Sequence, residues 1–184
     1  MLSRDQALNL LESHTQETHL MHHALESESV LRHLARETGA DETVWGLTGL
    51  LHDIDYAQTK DTPEQHGLVG AQLLQGQLPE KSLQAIRAHN SEMTGIAPAT
   101  ALDYALRCGE TVTGLVRASA LVRPDKLQGL QPKSLKKKIK DKSFAANVSR
   151  ERLAECTQIG LDQGRFLQVA ITALQDIAPS VALD

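Results

Sequence analysis

Residues 44–54, VWGLTGLLHDI, decide the fold of this chain. Apolar residues occur on nearly every side of a helix drawn through this stretch, which predicts a helix at the centre of a helical protein. Asp41 is its predicted N-cap residue. The stretch ends in His52 and Asp53, and burying an imidazole and a carboxylate is costly unless a partner such as a metal ion compensates. The alternative is an ordinary helix end, at which His52 meets the helix dipole and Asp53 faces water.

Helices are predicted on both sides of this central helix. No strand pattern is present, so the predicted fold class is all-α, a single-domain helical bundle of roughly seven to nine helices. Before the central helix, one helix is opened by the Ser3–Gln6 capping-box pattern and another runs from about Thr18 to Thr38 and stops at Gly39. After it, one helix is opened by Thr62, Pro63 and Gln65 and ends near Gly76, one runs from Pro79 to about His89, and one runs from Thr100 to Val122 and is halted by Pro124. A loop over 124–133 is followed by a short exposed helix in the basic stretch 134–144, a helix capped by Ser149, and a last helix from Asp162 to Ile177.

Composition is consistent with this prediction. The 184 residues are 41% hydrophobic and only 3% aromatic, with abundant Leu and Ala, which suits helix packing better than a β-sandwich. Cys108 and Cys156 lie far apart in the chain, so we expect reduced thiols, with a disulfide as the alternative. No signal peptide and no membrane-spanning stretch is found, so a cytoplasmic protein with no membrane partner is expected.

Charge is unevenly distributed along the chain. The net charge is −4, yet residues 131–150 contain six Lys and one Arg against one Asp. A solvated helix face is one explanation of the Lys133–Lys142 run, and a local anion site is the other. Only Phe144 accompanies the run as a base-stacking residue, so nucleic acid is not the favoured partner.

Nitrogen and oxygen donors recur on successive predicted helices. His23 shares a helix face with Val30 and Leu34 and therefore points toward packing, either as a ligand or as a hydrogen-bonded core histidine. The other donors are His52, Asp53, His66, His89 and Glu110. Such a set suits Mn²⁺, Fe²⁺, Co²⁺, Ni²⁺ or Mg²⁺, and the lack of a nearby cysteine argues against a structural zinc site.

Five blocks of sequence resemble the HD-domain family of metal-dependent phosphohydrolases. They are HALESESVLRHLA (23–35), WGLTGLLHDIDY (45–56), EQHGLVGAQLL (64–74), IRAHN (86–90) and CGETVTGLVRASALVRPDK (108–126). The run KSLKKKIKDKSFAANV (133–148) resembles a bacterial branch of that family, and the resemblance covers about residues 7–177. It implies an HD-type domain over 1–184, with a core at about 18–123 and a C-terminal helical extension at about 134–178.

The resemblance also implies a metal site. It assigns His23, His52, Asp53 and Glu110 as ligands of a divalent cation. The family's usual fourth ligand is Asp, so Glu110 is a departure, and Asp103 is the alternative to it. His66 and His89 occupy the interval in which some members hold a second ion; they could instead contact substrate phosphate or border the pocket.

The implied function is hydrolysis of a phosphomonoester or nucleotide by metal-activated water, with Asp53 and His52 as catalytic residues. Cationic side chains are expected to bind the phosphate, and the candidates are Arg117, Arg123, Lys126 and Lys142. A surface ion pair is the alternative for Arg117. Trp45 and Tyr56 are candidates for stacking on a base, and Trp45 could equally lie in the core. Two other functions remain open, a di-iron oxygenase and a non-catalytic helical module that binds a nucleotide or a partner.

Overall fold

The computed structural model describes residues 1–15 and 17–184, and within these residues it contains helices and no β-strand. The all-α prediction is therefore confirmed. The α-helices are α1 Arg4–His14, α2 Thr18–Thr38, α3 Glu42–Leu51, α4 Tyr56–Thr59, α5 Leu68–Leu73, α6 Glu80–His89, α7 Ser91–Thr94, α8 Ala101–Leu121, α9 Pro132–Lys140, α10 Arg150–Ala154 and α11 Gln163–Asp176. Three 3-10 turns accompany them, at Pro63–Gln65, Glu155–Ile159 and Ala178–Val181.

Helix α2 packs against α3, α8 and α11 and lies among them. Two glycines allow the close approach of its neighbours. A Cβ atom on Gly49 of α3 would lie 2.7 Å from the Ser27 carbonyl oxygen, and one on Gly109 of α8 would lie 2.7 Å from Leu31 Cδ2. A larger residue at Gly49 would meet the backbone of α2 and push the helices apart, whereas one at Gly109 would require the Leu31 side chain to move.

The predicted helix boundaries agree with the structure where a side chain caps the helix. Ser3 and Gln6 form the predicted capping box of α1, and the Asp41 side chain accepts a hydrogen bond from Val44 N at the start of α3. Helix α2 ends at Gly39 in the left-handed region, with a φ of 71°. Local capping chemistry thus fixes the lengths of the helices that carry the site.

One predicted helix is wrong. The start signal at Thr62–Gln65 opens only a 3-10 turn, and the chain then breaks at Gly67, whose φ is 88°. Helix α5 begins after this break and ends at Leu73, before the predicted end at Gly76. The short helices α4 and α7 were not predicted, because single turns lack the periodicity that marks a longer helix.

The basic stretch forms α9, as predicted, with Leu135 buried and the lysines mostly outward. Helix α11 belongs to the same hydrophobic cluster as α2 and α8. Phe166 and Ile171 of α11 are fully buried, and the Ser29 hydroxyl on α2 donates a 2.7 Å hydrogen bond to the Ala173 carbonyl. Among the residues described, no helix combines the length and apolarity needed to cross a membrane.

Candidate metal centre

Four imidazoles surround the carboxylate of Asp53. Its Oδ1 atom lies 3.2 Å from His52 Nε2, 3.2 Å from His66 Nε2 and 3.4 Å from His89 Nε2. Its Oδ2 atom lies 3.6 Å from His23 Nε2. These residues come from α2, the end of α3, the turn before α5 and the end of α6, so the fold gathers donors that are distant in the sequence.

The donors fall into two groups that share Asp53. The first contains His23, His52 and Asp53, and the second contains Asp53, His66 and His89. Within each group the ligand atoms lie within 4.8 Å of one another. Glu110 of α8 adds a carboxylate beside the first group, with Oε2 3.9 Å from His23 Nε2.

Backbone carbonyls orient two of the imidazoles. His52 Nδ1 lies 2.9 Å from the Gly49 carbonyl oxygen, and His89 Nδ1 lies 2.6 Å from the Ile86 carbonyl oxygen. A carbonyl oxygen can only accept, so each Nδ1 carries the hydrogen. The Nε2 atom of each ring therefore faces Asp53 and is the nitrogen available to a metal ion.

A hydroxyl relay orients His23 in the same way. The Thr113 hydroxyl donates a 2.6 Å hydrogen bond to the Glu110 carbonyl oxygen. Its oxygen must then accept from His23 Nδ1, which lies 3.1 Å away. His23 therefore also carries a hydrogen on Nδ1, and its Nε2 atom faces the other donors of the first group.

Asp55 orients the fourth imidazole, and sequence reasoning missed it. Its side chain is fully buried, and Oδ1 lies 2.9 Å from His66 Nδ1. Its Oδ2 atom accepts backbone hydrogen bonds of 2.8 Å from Gly67 N and 2.7 Å from Gly70 N. A buried carboxylate is stable there because three donors satisfy it. The second Asp of the run HDID (52–55) was the only sequence feature that could have indicated Asp55. Its hydrogen-bond partners His66, Gly67 and Gly70 follow only after a further helix and turn.

The surroundings shift the pKa values of three groups at the site. Burial lowers the pKa of His52 to about 4, so that ring is neutral. Burial alone would raise the pKa of Asp53, but the surrounding histidines outweigh it and hold the pKa well below its usual range. Burial would lower the pKa of His66, yet its hydrogen bonds to Asp53 and Asp55 raise the pKa to about 10.

The second group fits a cation for a further reason. His66 Nε2 and His89 Nε2 lie 3.0 Å apart, and both rings carry a hydrogen on Nδ1. Because the pKa of His66 is raised to about 10, its Nε2 carries a proton in this gap, and a metal ion bound there would take the place of that proton. Nitrogen and carboxylate donors without thiolate suit the divalent first-row cations. The residues therefore fit a divalent metal ion.

Glu110 and Asp103 differ in what occupies their oxygens. Glu110 Oε1 accepts from the Thr111 hydroxyl at 2.7 Å and from Arg152 Nη1 at 3.0 Å, which leaves Oε2 toward His23. Asp103 is buried and closes the capping box of α8 through bonds to the Thr100 backbone nitrogen and hydroxyl. The geometry therefore favours Glu110 over Asp103 as the acid nearest the site.

A cavity of about 460 Å³ opens beside the first group. Its lining residues are His23, Glu92, Glu110, Thr111, Gly114, Asn147, Val148, Ser149 and Arg152. Among the described residues that line it, Arg152 is the cation, and sequence reasoning missed it. No local signal marks Arg152, because its partners Glu92 and Glu110 lie on distant helices.

The cations predicted to bind phosphate lie elsewhere. Arg117 does not line the cavity; it bonds to the buried Glu26 at 2.8 Å and to the Val181 carbonyl oxygen at 2.8 Å, which is an ion pair inside the protein rather than the surface pair expected as the alternative. Arg123 bonds to backbone carbonyls of its own loop, Lys126 reaches the Ala182 carbonyl, and exposed Lys142 lines a separate hollow that shares residues 147–149 with the cavity.

The two candidate stacking residues are also separated. Trp45 is buried in the hydrophobic cluster. Tyr56 is 40% exposed, and its ring meets that of His66 edge-on, with centroids 5.6 Å apart. Of the two, Tyr56 therefore lies close to the second group.

A helical chain with such a donor set is suited to bind a divalent metal ion, and a comparison with known families identifies the family. Residues 20–141 match the HD domain family, so the chain belongs to that family. It is similar to Ribonuclease Y of Lawsonia intracellularis, 27% identical over 167 residues that make up 90% of this chain and 29% of the relative. It is also similar to Ribonuclease Y of Oleidesulfovibrio alaskensis, 30% identical over 96 residues, 52% of this chain and 18% of the relative.

The chain spans less than a third of the length of either of these relatives. No solved structure matches it significantly.

Proposed function

We propose that this protein hydrolyses a phosphomonoester or a nucleotide with a metal-activated water. The observation that carries the proposal is that four imidazoles are oriented by their Nδ1 partners, so that all four Nε2 atoms face the Asp53 carboxylate. Oriented imidazoles with outer-sphere partners are typical of metal ligands. The cavity beside His23 and Glu110 gives a substrate access to that position.

In this proposal His23, His52, Asp53 and Glu110 hold one divalent cation. His66 and His89, with the shared Asp53, hold a second. A divalent cation bound in such a site lowers the pKa of a water molecule and neutralises charge on a phosphoryl oxygen.

The chain's own residues orient the reactants. Asp53 Oδ1 is surrounded by three imidazole nitrogens, whereas Oδ2 faces His23 on the side of the cavity. Oδ2 can therefore accept a hydrogen bond from the attacking water and orient it. His52 contributes a neutral ring whose position is fixed by Gly49.

A second candidate is hydrolysis of RNA. The name of both relatives, Ribonuclease Y, favours it, and so does the exposed lysine face of α9. Water attacks phosphorus in the same way in a phosphodiester and in a phosphomonoester, so the proposed site chemistry is the same for both candidates. The two candidates therefore differ only in the substrate that is cleaved, and a comparison of substrates separates them.

The test is a panel of phosphomonoesters, nucleotides and RNA oligonucleotides, assayed with Mn²⁺, Co²⁺, Ni²⁺ and Mg²⁺. We expect turnover by the wild type that disappears in His52→Ala and Asp53→Ala. His33→Ala is the matched control, since His33 pairs with Asp176 outside the site at 3.0 Å. Activity that persists in the first two variants contradicts the proposal, and cleavage of RNA alone favours the second candidate.

The two remaining functions are separated by other measurements. Metal analysis after anaerobic purification tests a di-iron oxygenase, which needs two irons per chain. A thermal shift with nucleotides but no turnover under any divalent cation would support a non-catalytic binding module.

A further inference from the structure

One side of the cavity is lined by a segment that lies outside the residues matched by the HD family model. The family match ends at residue 141, whereas Asn147, Val148, Ser149 and Arg152 all line the cavity. Ser149 caps α10 by accepting from Arg152 N, which fixes the first turn of this helix above the site. The C-terminal part of the chain therefore contributes directly to the space in which a substrate would lie.

Arg152 is held between two carboxylates in this space. Its Nη1 donates to Glu110 Oε1 at 3.0 Å. Its other edge donates twice to one carboxylate, from Nε to Glu92 Oε1 at 3.2 Å and from Nη2 to Glu92 Oε2 at 2.6 Å. Such a two-point pair is the arrangement by which a guanidinium also binds a phosphate, so Glu92 occupies a phosphate-binding edge.

Glu92 has a second partner and can release Arg152 without being left unpaired. Arg107 donates from Nη2 to Glu92 Oε1 at 2.8 Å. Arg107 is itself buried and held by two hydrogen bonds to Glu155 and by bonds to the His89 carbonyl and the Ser91 hydroxyl. Because Arg107 stays fixed, exchange of Glu92 for another anion on Arg152 leaves no carboxylate uncompensated.

We propose that Arg152 binds the phosphate of the substrate, which takes the place of Glu92 on the Nε–Nη2 edge, while Glu110 keeps Arg152 Nη1. The inference rests on the proposed function and narrows its substrate class to phosphomonoesters. A monoester has three unesterified oxygens, two for the guanidinium edge and one for the metal side. A diester has only two and cannot supply both without sharing an oxygen.

Calorimetric titration of the metal-loaded protein with inorganic phosphate tests the inference. We expect Arg152→Ala to weaken phosphate binding by about tenfold or more, because two charge-assisted hydrogen bonds are lost. Arg152→Lys keeps the charge but loses the planar edge, so binding falls by an intermediate factor. Glu92→Gln removes the competing carboxylate, so phosphate binds a few-fold more tightly.

The matched controls are Arg165→Ala and Glu37→Gln. Arg165 makes the same two-point pair with Glu37, at 2.7 and 2.6 Å, and neither residue lines the cavity. Both controls should leave phosphate affinity unchanged. Metal content and circular dichroism are measured for every variant, so that loss of a metal or of the fold is not taken for loss of the phosphate contact.

Unchanged phosphate affinity in folded, metal-loaded Arg152→Ala overturns the inference, and so does weaker binding in Glu92→Gln, which would make the pair purely structural. If Arg152→Ala does not fold, Arg152→Lys and Glu92→Gln decide by themselves. Phosphate binding that depends on Arg152 in a protein without turnover supports the inference while the proposed hydrolysis fails. Turnover together with a phosphate affinity that does not depend on Arg152 supports the proposed hydrolysis and overturns the inference about Arg152.

Discussion

The two donor groups that share Asp53 differ in how the fold supports them. The first is built on the long helices α2 and α8 and the end of α3, and its His23 lines the cavity. The second is built on the turn before α5 and the end of α6, lies away from the cavity lining, and depends on the buried Asp55. Thus helix packing positions the group that faces the cavity, whereas hydrogen bonds within turns position the enclosed one.

Replacing the shared carboxylate should have the largest effect. We expect Asp53→Asn to lose metal from both groups and to reduce turnover by more than the roughly 100-fold typical of losing an outer-sphere partner. Metal content after dialysis and the rate with the best panel substrate measure this. Asp176→Asn is the control, because Asp176 also pairs with a histidine, His33, outside the site. If Asp53→Asn retained two ions per chain, Asp53 would not be the ligand that the two donor groups share.

Replacing one histidine should separate the two groups. His23→Ala should lose the ion beside the cavity, whereas His89→Ala should lose the enclosed ion, because each residue belongs to only one group. Each variant should then bind about half as much metal as the wild type. Metal content together with anomalous scattering from Mn²⁺-loaded crystals locates the remaining ion. Loss of both ions in either variant would mean that the groups act as one site.

Weakening the support of the second group should have a smaller effect. Asp55→Asn keeps an oxygen for Gly67 N and Gly70 N but removes the negative charge beside His66 Nδ1. We expect metal affinity at the second group to fall by about 10- to 100-fold with the first group unchanged. Titration against a competing chelator measures both affinities. Asp41→Asn is the control, since Asn caps a helix as well as Asp does.

The smallest effect on metal binding is expected from the backbone of the second group. Gly67 has a φ of 88°, and a Cβ atom there would lie 2.5 Å from the Ile86 carbonyl oxygen. Gly76 has a φ of 76° and no atom within 4 Å of a Cβ, so Gly76→Ala loses only the roughly 1–2 kcal/mol of the left-handed conformation. Gly67→Ala should lower the free energy of unfolding by more, as measured in urea, and weaken the second metal a few-fold. Equal losses would show that this backbone adjusts freely.

Local sequence signals predicted most of the fold. The Ser3 and Asp41 caps and the Gly39 stop lie at real helix ends, because capping involves residues within four positions of each other. The helix predicted across Gly67 was wrong, because its break is set by hydrogen bonds to the distant Asp55. The hydrophobic periodicity of one segment cannot reveal a hydrogen-bond partner that is distant in the sequence.

The candidate site divides in the same way. The structure brings together His23, His52, Asp53, His66, His89 and Glu110, whose roles as ligands remain predictions. The spacing of Arg117 from Glu110 along α8 suggested a phosphate contact, but Arg117 meets Glu26 of α2 instead. Arg152 could not be found from the sequence, since only the packing of α10 against α8 brings it to Glu110.

Helix α11 packs into the same hydrophobic cluster as α2, which limits where the chain can be truncated or joined to another protein. The match to the family model ends at residue 141, but Phe166 and Ile171 are fully buried against the same cluster as Leu31 and Leu34. A chain truncated at residue 141 would expose that apolar surface to water and would tend to aggregate. The end of the family-model match is therefore a poor place for a recombination point, and a functional transplant would have to include α11.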